Sequence, residues 1–158
     1  MPEREKPAIP LTGGCPCGAV RYDIGTFPLL LYACHCTNCQ RESGSAFAMN
    51  MPVATDAFRI TQGTPKAWRQ LRSSGARTAS WFCGDCSGRL YGERDTRPRS
   101  VNVRAGSLDD TSWLEPAAHL LMRESQGWEQ IGVGECFEGL PDDFRALTAR
   151  WRRRWGLT

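Results

Sequence analysis

Cys34-His35-Cys36-Thr37-Asn38-Cys39 sets three cysteines within six residues, and a cysteine pair lies on either side of this stretch in the chain. The pairs belong to Cys15-Pro16-Cys17-Gly18 and Cys83-Gly84-Asp85-Cys86. Closely spaced thiolates can converge on one ion, and glycine lets the backbone turn tightly around it. One pair alone would be weak evidence, but three clusters within 72 residues indicate metal ligands.

The number of clustered cysteines predicts two zinc ions per chain, one structural and one with room for a further ligand. A structural zinc takes four protein ligands, whereas a catalytic zinc commonly takes three. The expected closed, four-thiolate site is made of Cys15, Cys17, Cys83 and Cys86. The expected three-thiolate site, called the triplet below, is made of Cys34, Cys36 and Cys39.

The spacing leaves other ligand sets open. The triplet could be completed by His35, by Cys136 or by a cysteine of the last pair. His35 is a poor candidate, because both of its neighbours are expected ligands, and we expect a surface or core histidine there. Cys136 stands alone in the sequence, and we expect a plain buried thiol.

Composition limits the classes of protein to consider. A length of 158 residues suits one domain, and a formal charge of +3 is too small to imply a polyanionic partner by itself. The first ten residues contain no apolar core of a secretory signal, and the apolar run Leu29–Cys34 is too short to span a bilayer. We therefore expect a cytoplasmic protein without a membrane segment, whose thiols stay reduced.

Short apolar or alternating runs, cut by Gly, Pro, Asp and Ser, predict a mainly β fold. We expect a loose N-terminal arm over residues 1–10, a zinc-binding β domain over 11–139 and a C-terminal helix over 140–158. The expected strands are Ala19–Ile24, Leu29–Ala33, Ala46–Val53, Phe58–Thr61, Lys66–Leu71, Thr78–Phe82, Arg89–Tyr91, Ser100–Val103 and His119–Arg123.

The C-terminal segment is predicted to be an amphipathic helix. Phe144, Leu147, Trp151 and Trp155 recur at helical spacing, with acids before them and arginines in the last turn. We expect the aromatic stripe to pack inside the protein, with a partner or dimer contact as the alternative. Arginines interleaved with aromatics also suit nucleic-acid binding, but the six residues Arg150–Trp155 offer only a small contact surface. We therefore expect no nucleic-acid partner.

The cysteine clusters lie in segments that resemble a known family. The chain is similar to the glutathione-dependent formaldehyde-activating enzymes, also called S-(hydroxymethyl)glutathione synthases, from about Leu11 to Trp128. One departure is that Ser87 stands before Gly88, where the family usually has glycine directly after the last cysteine. The segments that carry the resemblance are Gly13–Tyr22, Cys34–Cys39, Gly44–Phe47 and Phe82–Cys86.

The resemblance implies a β-tent fold of several curled antiparallel sheets and the same division of ligands into four and three. It also implies a carbon–sulfur lyase that adds the thiol of glutathione to formaldehyde or splits the adduct, so a thiol and an aldehyde are the expected small-molecule partners. The alternative is a non-catalytic zinc module that binds a protein partner.

Glutathione carries two carboxylates, so its pocket should offer cations, and an arginine fork suits a carboxylate. Arg41, two residues past the triplet, is the nearest candidate, with Arg72 and Arg77 behind it; each could equally be a solvated surface charge. His119 could relay a proton to the developing alkoxide, or could be a hydrogen-bonded structural histidine.

Overall fold

The computed structural model describes residues 5–157, so the parts of the predicted arm and helix that fall on residues 1–4 and 158 lie outside it. The chain forms two compact units. The first consists of the described part of Met1–Pro28 together with Pro52–Trp113. The second consists of Leu29–Met51 together with the described part of Leu114–Thr158.

Short strands make up most of the regular structure of residues 5–157, together with two α-helices. The helices are α1 (Thr37–Ser43) and α2 (Phe144–Arg154). The strands are β1 (Leu11–Gly14), β2 (Arg21–Ile24), β3 (Tyr32–Cys34), β4 (Ala48–Ala54), β5 (Phe58–Gln62), β6 (Lys66–Leu71), β7 (Arg77–Phe82), β8 (Arg89–Arg94), β9 (Ser100–Arg104), β10 (Ala118–Leu120) and β11 (Glu135–Cys136).

The first unit is built from antiparallel strands around an aromatic core. Strands β1, β2 and β5 pair in that order, and β9, β8, β7 and β6 pair in that order. Tyr22 is buried on β2, with its ring 5.3 Å from that of Phe58. Phe58 in turn lies 4.7 Å from Tyr91, which stacks on Trp81. These rings join the two sets of strands.

A glycine on β1 lets the chain approach this core closely. A Cβ on Gly13 would lie 2.4 Å from the hydroxyl of Tyr22 and 2.5 Å from the carbonyl oxygen of Ser107. The same Tyr22 hydroxyl lies 2.8 Å from the Ser107 hydroxyl. Any side chain at position 13 would therefore push these groups apart.

The second unit contains a parallel pairing that the resemblance did not imply. Its strands follow the order β11, β10, β3, β4, and β10 is parallel to both β11 and β3. The register aligns His119 with Ala33 and Leu120 with Cys34. The pairing thus brings a segment that is about 85 residues away in sequence next to the triplet.

Helix α2 packs through its apolar face within the second unit. The side chain of Asp143 caps it by accepting from the backbone nitrogens of Arg145 and Ala146. Leu147 and Trp151 are buried. Trp155 is also buried, so neither tryptophan is available to stack on a base.

The predicted mainly β fold with a C-terminal helix is confirmed, and every expected strand overlaps an observed one. The expected strand His119–Arg123 is wrong beyond Leu120, because Leu121 adopts φ 60° and the chain continues as the 3-10 turn Met122–Glu124. The sequence analysis does not predict helix α1. Neither α-helix within residues 5–157 has the length and apolar character needed to cross a membrane.

Candidate metal centres

The first unit holds two similar tight turns, each carrying a cysteine pair directly after a strand. In the turn after β1, the backbone nitrogen of Gly18 donates to the carbonyl of Cys15 at 3.0 Å. In the turn after β7, the backbone nitrogen of Ser87 donates to the carbonyl of Cys83 at 3.0 Å. These i to i+3 and i to i+4 hydrogen bonds close the turns tightly, so the two thiols of each turn can approach the same metal ion.

The two turns bring four sulfurs together. All four sulfurs lie within 4.8 Å of one another. The sulfurs of Cys15 and Cys17 are 3.5 Å apart, and those of Cys17 and Cys83 are 3.8 Å apart. Tetrahedral zinc with Zn–S bonds of about 2.3 Å requires sulfurs about 3.8 Å apart. The four-cysteine cluster of Cys15, Cys17, Cys83 and Cys86 therefore fits zinc in ligand type and spacing.

Backbone donors favour the thiolate form in this cluster. Burial alone would raise the pKa of Cys15, but the backbone N–H of Val20 and the neighbouring thiols lower it to about 6. The nitrogen of Val20 lies 3.2 Å from this sulfur, and that of Asp85 lies 3.4 Å from the sulfur of Cys83. N–H donors stabilise thiolates, which is the form that binds a metal.

The backbone just after Cys86 is under two constraints. Ser87, the departure from the family pattern, adopts φ 63°, a left-handed conformation that favours glycine. A Cβ on Gly88 would lie 2.5 Å from the ring of Pro16 and 3.4 Å from the sulfur of Cys86. The turn therefore tolerates the serine at a conformational cost but has no space for a side chain at position 88.

The triplet lies where β3 runs into α1. Cys34 ends β3, Cys36 is the N-cap of α1, and Cys39 lies in the first turn of the helix. The sulfur of Cys36 lies 3.6 Å from that of Cys34 and accepts from the backbone nitrogen of Cys39 at 3.4 Å. The three sulfurs all lie within 4.8 Å of one another, a spacing that could hold one metal ion.

The contacts within the triplet favour the thiolate form at Cys36. Hydrogen bonds from the thiols of Cys34 and Cys39 lower the pKa of Cys36 to about 2, and the backbone N–H groups of Cys39 and Asn38 add to this against the effect of burial. The same contacts raise the pKa of Cys34, because its proton is shared with the other sulfurs. The triplet is thus built around one stabilised thiolate.

The triplet is buried on one side and accessible on the other. Cys34 is buried, whereas Cys36 and Cys39 are partly exposed. Within residues 5–157, no fourth His, Cys, Asp or Glu joins this group of sulfurs. A molecule from solvent can approach the triplet from the side of Cys36 and Cys39.

His35 is not part of the triplet, because its ring is fully buried and engaged elsewhere. Its Nδ1 lies 2.9 Å from Oε2 of Glu129, and its Nε2 lies 2.9 Å from Nδ1 of His119. Its backbone nitrogen donates to Leu120, and its carbonyl accepts from the side-chain amide of Gln40 at 2.6 Å. All four polar groups of His35 are therefore held.

His119 and Arg41, the two predicted substrate contacts, lie in different environments. His119 is buried, and its pKa is lowered by that burial and by the neighbouring His35, against a smaller opposing effect of the Val133 carbonyl. Arg41 is exposed in the last turn of α1. The further candidates Arg72 and Arg77 lie at the hairpin between β6 and β7 in the first unit.

All eight cysteines lie within the described residues, and all are free thiols. The expectation that Cys136 is buried is wrong: this thiol is exposed. Its strand β11 has two residues, is exposed along its length and lies at the end of the strand order in the second unit.

Comparisons with known proteins agree with the ligand pattern. A family model described as glutathione-dependent formaldehyde-activating enzyme matches residues 10–124. The chain belongs to this family. Residues 10–124 include all seven clustered cysteines together with His35 and His119.

Individual relatives extend the match. A Halomonas elongata protein, provisionally named a glutathione-dependent formaldehyde-activating enzyme, is 27% identical over 155 residues, which cover 93% of this chain and 97% of the relative. A Talaromyces marneffei protein with the same provisional name is 25% identical over 126 residues, covering 77% of this chain and 66% of that protein. The crystal structure of a Rhodobacter sphaeroides protein superimposes on this chain with a TM-score of 0.52 at 22% sequence identity. The match covers 64% of this chain and 90% of that protein, and it supports the fold.

Sequence reasoning missed Glu129, Glu124 and Gln40, which contact His35 and Thr37, the residues beside the sulfurs of the triplet. Gln40 donates to the carbonyl of Glu124 as well as to that of His35. The carboxylate of Glu124 accepts from the backbone nitrogen of Thr37 at 2.8 Å. No local pattern marks the contacts of Glu129 with His35, of Glu124 with Thr37 and of Gln40 with Glu124, because each joins residues more than 80 positions apart in sequence.

Proposed function

We propose that the protein adds the thiol of glutathione, or of a related small thiol, to formaldehyde or a related aldehyde, and that it also splits the adduct. The observation that carries this proposal is the triplet, three convergent sulfurs accessible from one side, in a chain that belongs to the formaldehyde-activating family. In the splitting direction the reaction is that of a carbon–sulfur lyase.

The triplet is the proposed reaction centre. Cys34, Cys36 and Cys39 would hold a zinc ion, and the four-cysteine cluster would hold a second, structural one. A zinc bound to three thiolates would stabilise an incoming thiol as its thiolate. It would polarise an aldehyde oxygen only weakly, because the site would already carry a net charge of about −1. The backbone N–H groups of Cys39 and Asn38 offset part of that negative charge.

The reaction requires no redox partner. The sulfur of the substrate thiol forms a bond with the aldehyde carbon, the carbonyl π pair moves to oxygen, and the thiol proton ends on that oxygen to give a hydroxymethyl thioether. Solvent access beside Cys36 and Cys39 supports delivery of the proton by water. Arg41, exposed two residues after Cys39, is the proposed partner for a substrate carboxylate.

The position of His119 supports a different role from the proton relay expected from sequence. Its ring is buried and bonded to His35. We therefore assign it to holding His35 rather than to contact with substrate. The alternative of a closed, purely structural zinc module is disfavoured, because none of the described His, Asp or Glu side chains completes the triplet.

The test is exchange of 13C-formaldehyde with its glutathione adduct, measured by NMR exchange spectroscopy on the zinc-loaded protein. Cys36→Ser should abolish the enzyme-dependent exchange and leave the zinc of the four-cysteine cluster bound. Cys136→Ser is the matched control, because this exposed cysteine belongs to neither cluster. Exchange that survives in Cys36→Ser, or that the wild type does not accelerate, would overturn the proposal.

A further inference from the structure

The carboxylate of Glu129 lies inside the protein, beside the residue that separates two sulfurs of the triplet. Its side chain is 6% exposed, and its Oε2 lies 2.9 Å from Nδ1 of His35. Its other oxygen, Oε1, is buried and has no hydrogen-bond partner among the described residues. A buried and partly unsatisfied carboxylate lowers the free energy of unfolding. The burial of Glu129 therefore points to a role other than stabilising the fold.

The alternation of side chains along extended backbone gives that explanation. Cys36 has extended backbone angles, φ −61° and ψ 151°, and Cys34 is the last residue of β3. Successive side chains of an extended segment point to opposite sides. Turning His35 into the interior therefore turns Cys34 and Cys36 together toward the other side, where their sulfurs lie 3.6 Å apart.

We propose that Glu129 is a positioning residue for the triplet, which acts by holding the ring of His35. The inference deepens the proposed function, because it concerns the same three sulfurs and the metal they would hold. It does not require that the metal site turns over any particular substrate.

The negative charge of Glu129 matters as well as its position. A carboxylate accepts hydrogen bonds only, so Nδ1 of His35 must be the donor in this contact. Nε2 is left to the ring of His119. A neutral amide could accept or donate and would not hold the ring in one arrangement. Outer partners of this kind typically change metal affinity by about 10- to 100-fold.

The segment that carries Glu129 is itself tied to the start of α1. Glu124 accepts from the backbone nitrogen of Thr37, and its carbonyl accepts from Gln40, at 2.8 Å in both cases. Gln126 donates to Gln40 at 3.3 Å. The carboxylate of Glu129 thus acts from a segment fixed against the same turn that it positions.

The test is Glu129→Gln in the zinc-loaded protein, a change that keeps the size of the side chain and removes its charge. Glu135→Gln is the matched control, because the Glu135 carboxylate is 49% exposed and pairs with Arg150. A chelator withdraws zinc, pulses of N-ethylmaleimide label each cysteine as its metal leaves, and mass spectrometry separates peptides of the triplet from those of the four-cysteine cluster.

We expect the triplet of Glu129→Gln to be labelled at least about 10-fold faster than that of the wild type. Labelling of the four-cysteine cluster should stay unchanged, and both clusters should be unchanged in Glu135→Gln. Triplet labelling within about twofold of the wild type would overturn the proposal. Equal acceleration at both clusters would also overturn it, because that result marks a general loss of stability.

Glu129→Asp provides a second variant should Glu129→Gln fail to fold. It keeps the charge but withdraws the carboxylate from Nδ1 of His35, and it should also accelerate labelling of the triplet selectively; an unchanged rate would overturn the proposal. Exchange of formaldehyde with glutathione, measured on the same samples, separates this inference from the proposed function. A selective Glu129 effect without wild-type exchange rejects the function alone, whereas exchange without a Glu129 effect rejects the inference alone. A wild-type triplet labelled at once, before zinc leaves, overturns both.

Discussion

The sulfur of Cys36 accepts a hydrogen bond from the backbone nitrogen of Cys39 at 3.4 Å, so one atom caps helix α1 and also belongs to the triplet. Serine is a good N-cap but a poor zinc ligand. Replacing this cysteine can therefore separate the two roles.

Cys36→Ser should keep α1 capped while losing the metal of the triplet. Cys36→Ala should lose both, and it should lower the free energy of unfolding by about 1 kcal/mol more than the serine variant. Urea unfolding of the two variants, with zinc counted on the same samples, measures the difference. Equal free energies of unfolding for serine and alanine would show that the Cys36 cap does not stabilise the helix.

Gly88→Ala should disrupt the four-cysteine cluster. The added Cβ would lie 2.5 Å from the ring of Pro16 and 3.4 Å from the sulfur of Cys86, so the two turns must separate. Overpacking of this kind costs about 1–3 kcal/mol. Here that cost would weaken the binding of the zinc that joins the two turns. We expect a lower melting temperature and faster loss of one zinc to a chelator. Gly106→Ala is the control, because nothing lies within 4 Å of a Cβ there; equal effects of both changes would contradict the prediction.

Ser87→Gly should raise the free energy of unfolding by about 1 kcal/mol, since a residue with a Cβ pays that much in a left-handed conformation. Ser87 is exposed and has φ 63°, so the change removes no packing. Ser87→Ala keeps the Cβ and should show no gain. Chemical unfolding of the zinc-loaded proteins compares the three side chains. A stabilisation by alanine equal to that by glycine would mean that the hydroxyl, not the conformation, is the source.

The sequence predicted the grouping of the sulfurs far better than their surroundings. Cysteine spacing is local, and the ligand count of zinc divides seven cysteines in few ways, so the spacing favours the groups of four and three that the structure brings together. The sequence does not predict helix α1, because its N-cap is a cysteine rather than the usual Ser, Thr, Asp or Asn. The role of Glu129 is not predicted either, because 94 residues separate it from His35 and only the tertiary fold brings them together.

The burial of single residues was also hard to foresee. The sequence predicts a buried thiol at Cys136, because free cysteines are usually buried, but its two-residue strand leaves it exposed. The sequence leaves open that His119 relays a proton to the developing alkoxide. The parallel pairing of β10 with β3 instead turns it toward His35. Parallel pairing between distant segments leaves no local signal in the sequence.

The exposure of the cysteines offers a test of the metal clusters that does not depend on activity. Cys17 and Cys136 are the two exposed cysteines among the eight, and all eight lie within the described residues. Exposure alone predicts that both react quickly with a thiol reagent. Metal binding predicts that Cys136 alone does so, because Cys17 belongs to the four-cysteine cluster and a coordinated sulfur is protected.

We therefore expect one fast-reacting thiol per chain when the zinc-loaded protein is treated with 5,5′-dithiobis(2-nitrobenzoate), and none in Cys136→Ser. Unfolding in the presence of a chelator should release the full eight thiols of the wild type. Two fast thiols in the wild type, with one left in Cys136→Ser, would mean that the four-cysteine cluster does not hold a metal. More than two fast-reacting thiols would implicate the partly exposed Cys36 and Cys39. That result would mean that the triplet, too, does not hold a metal.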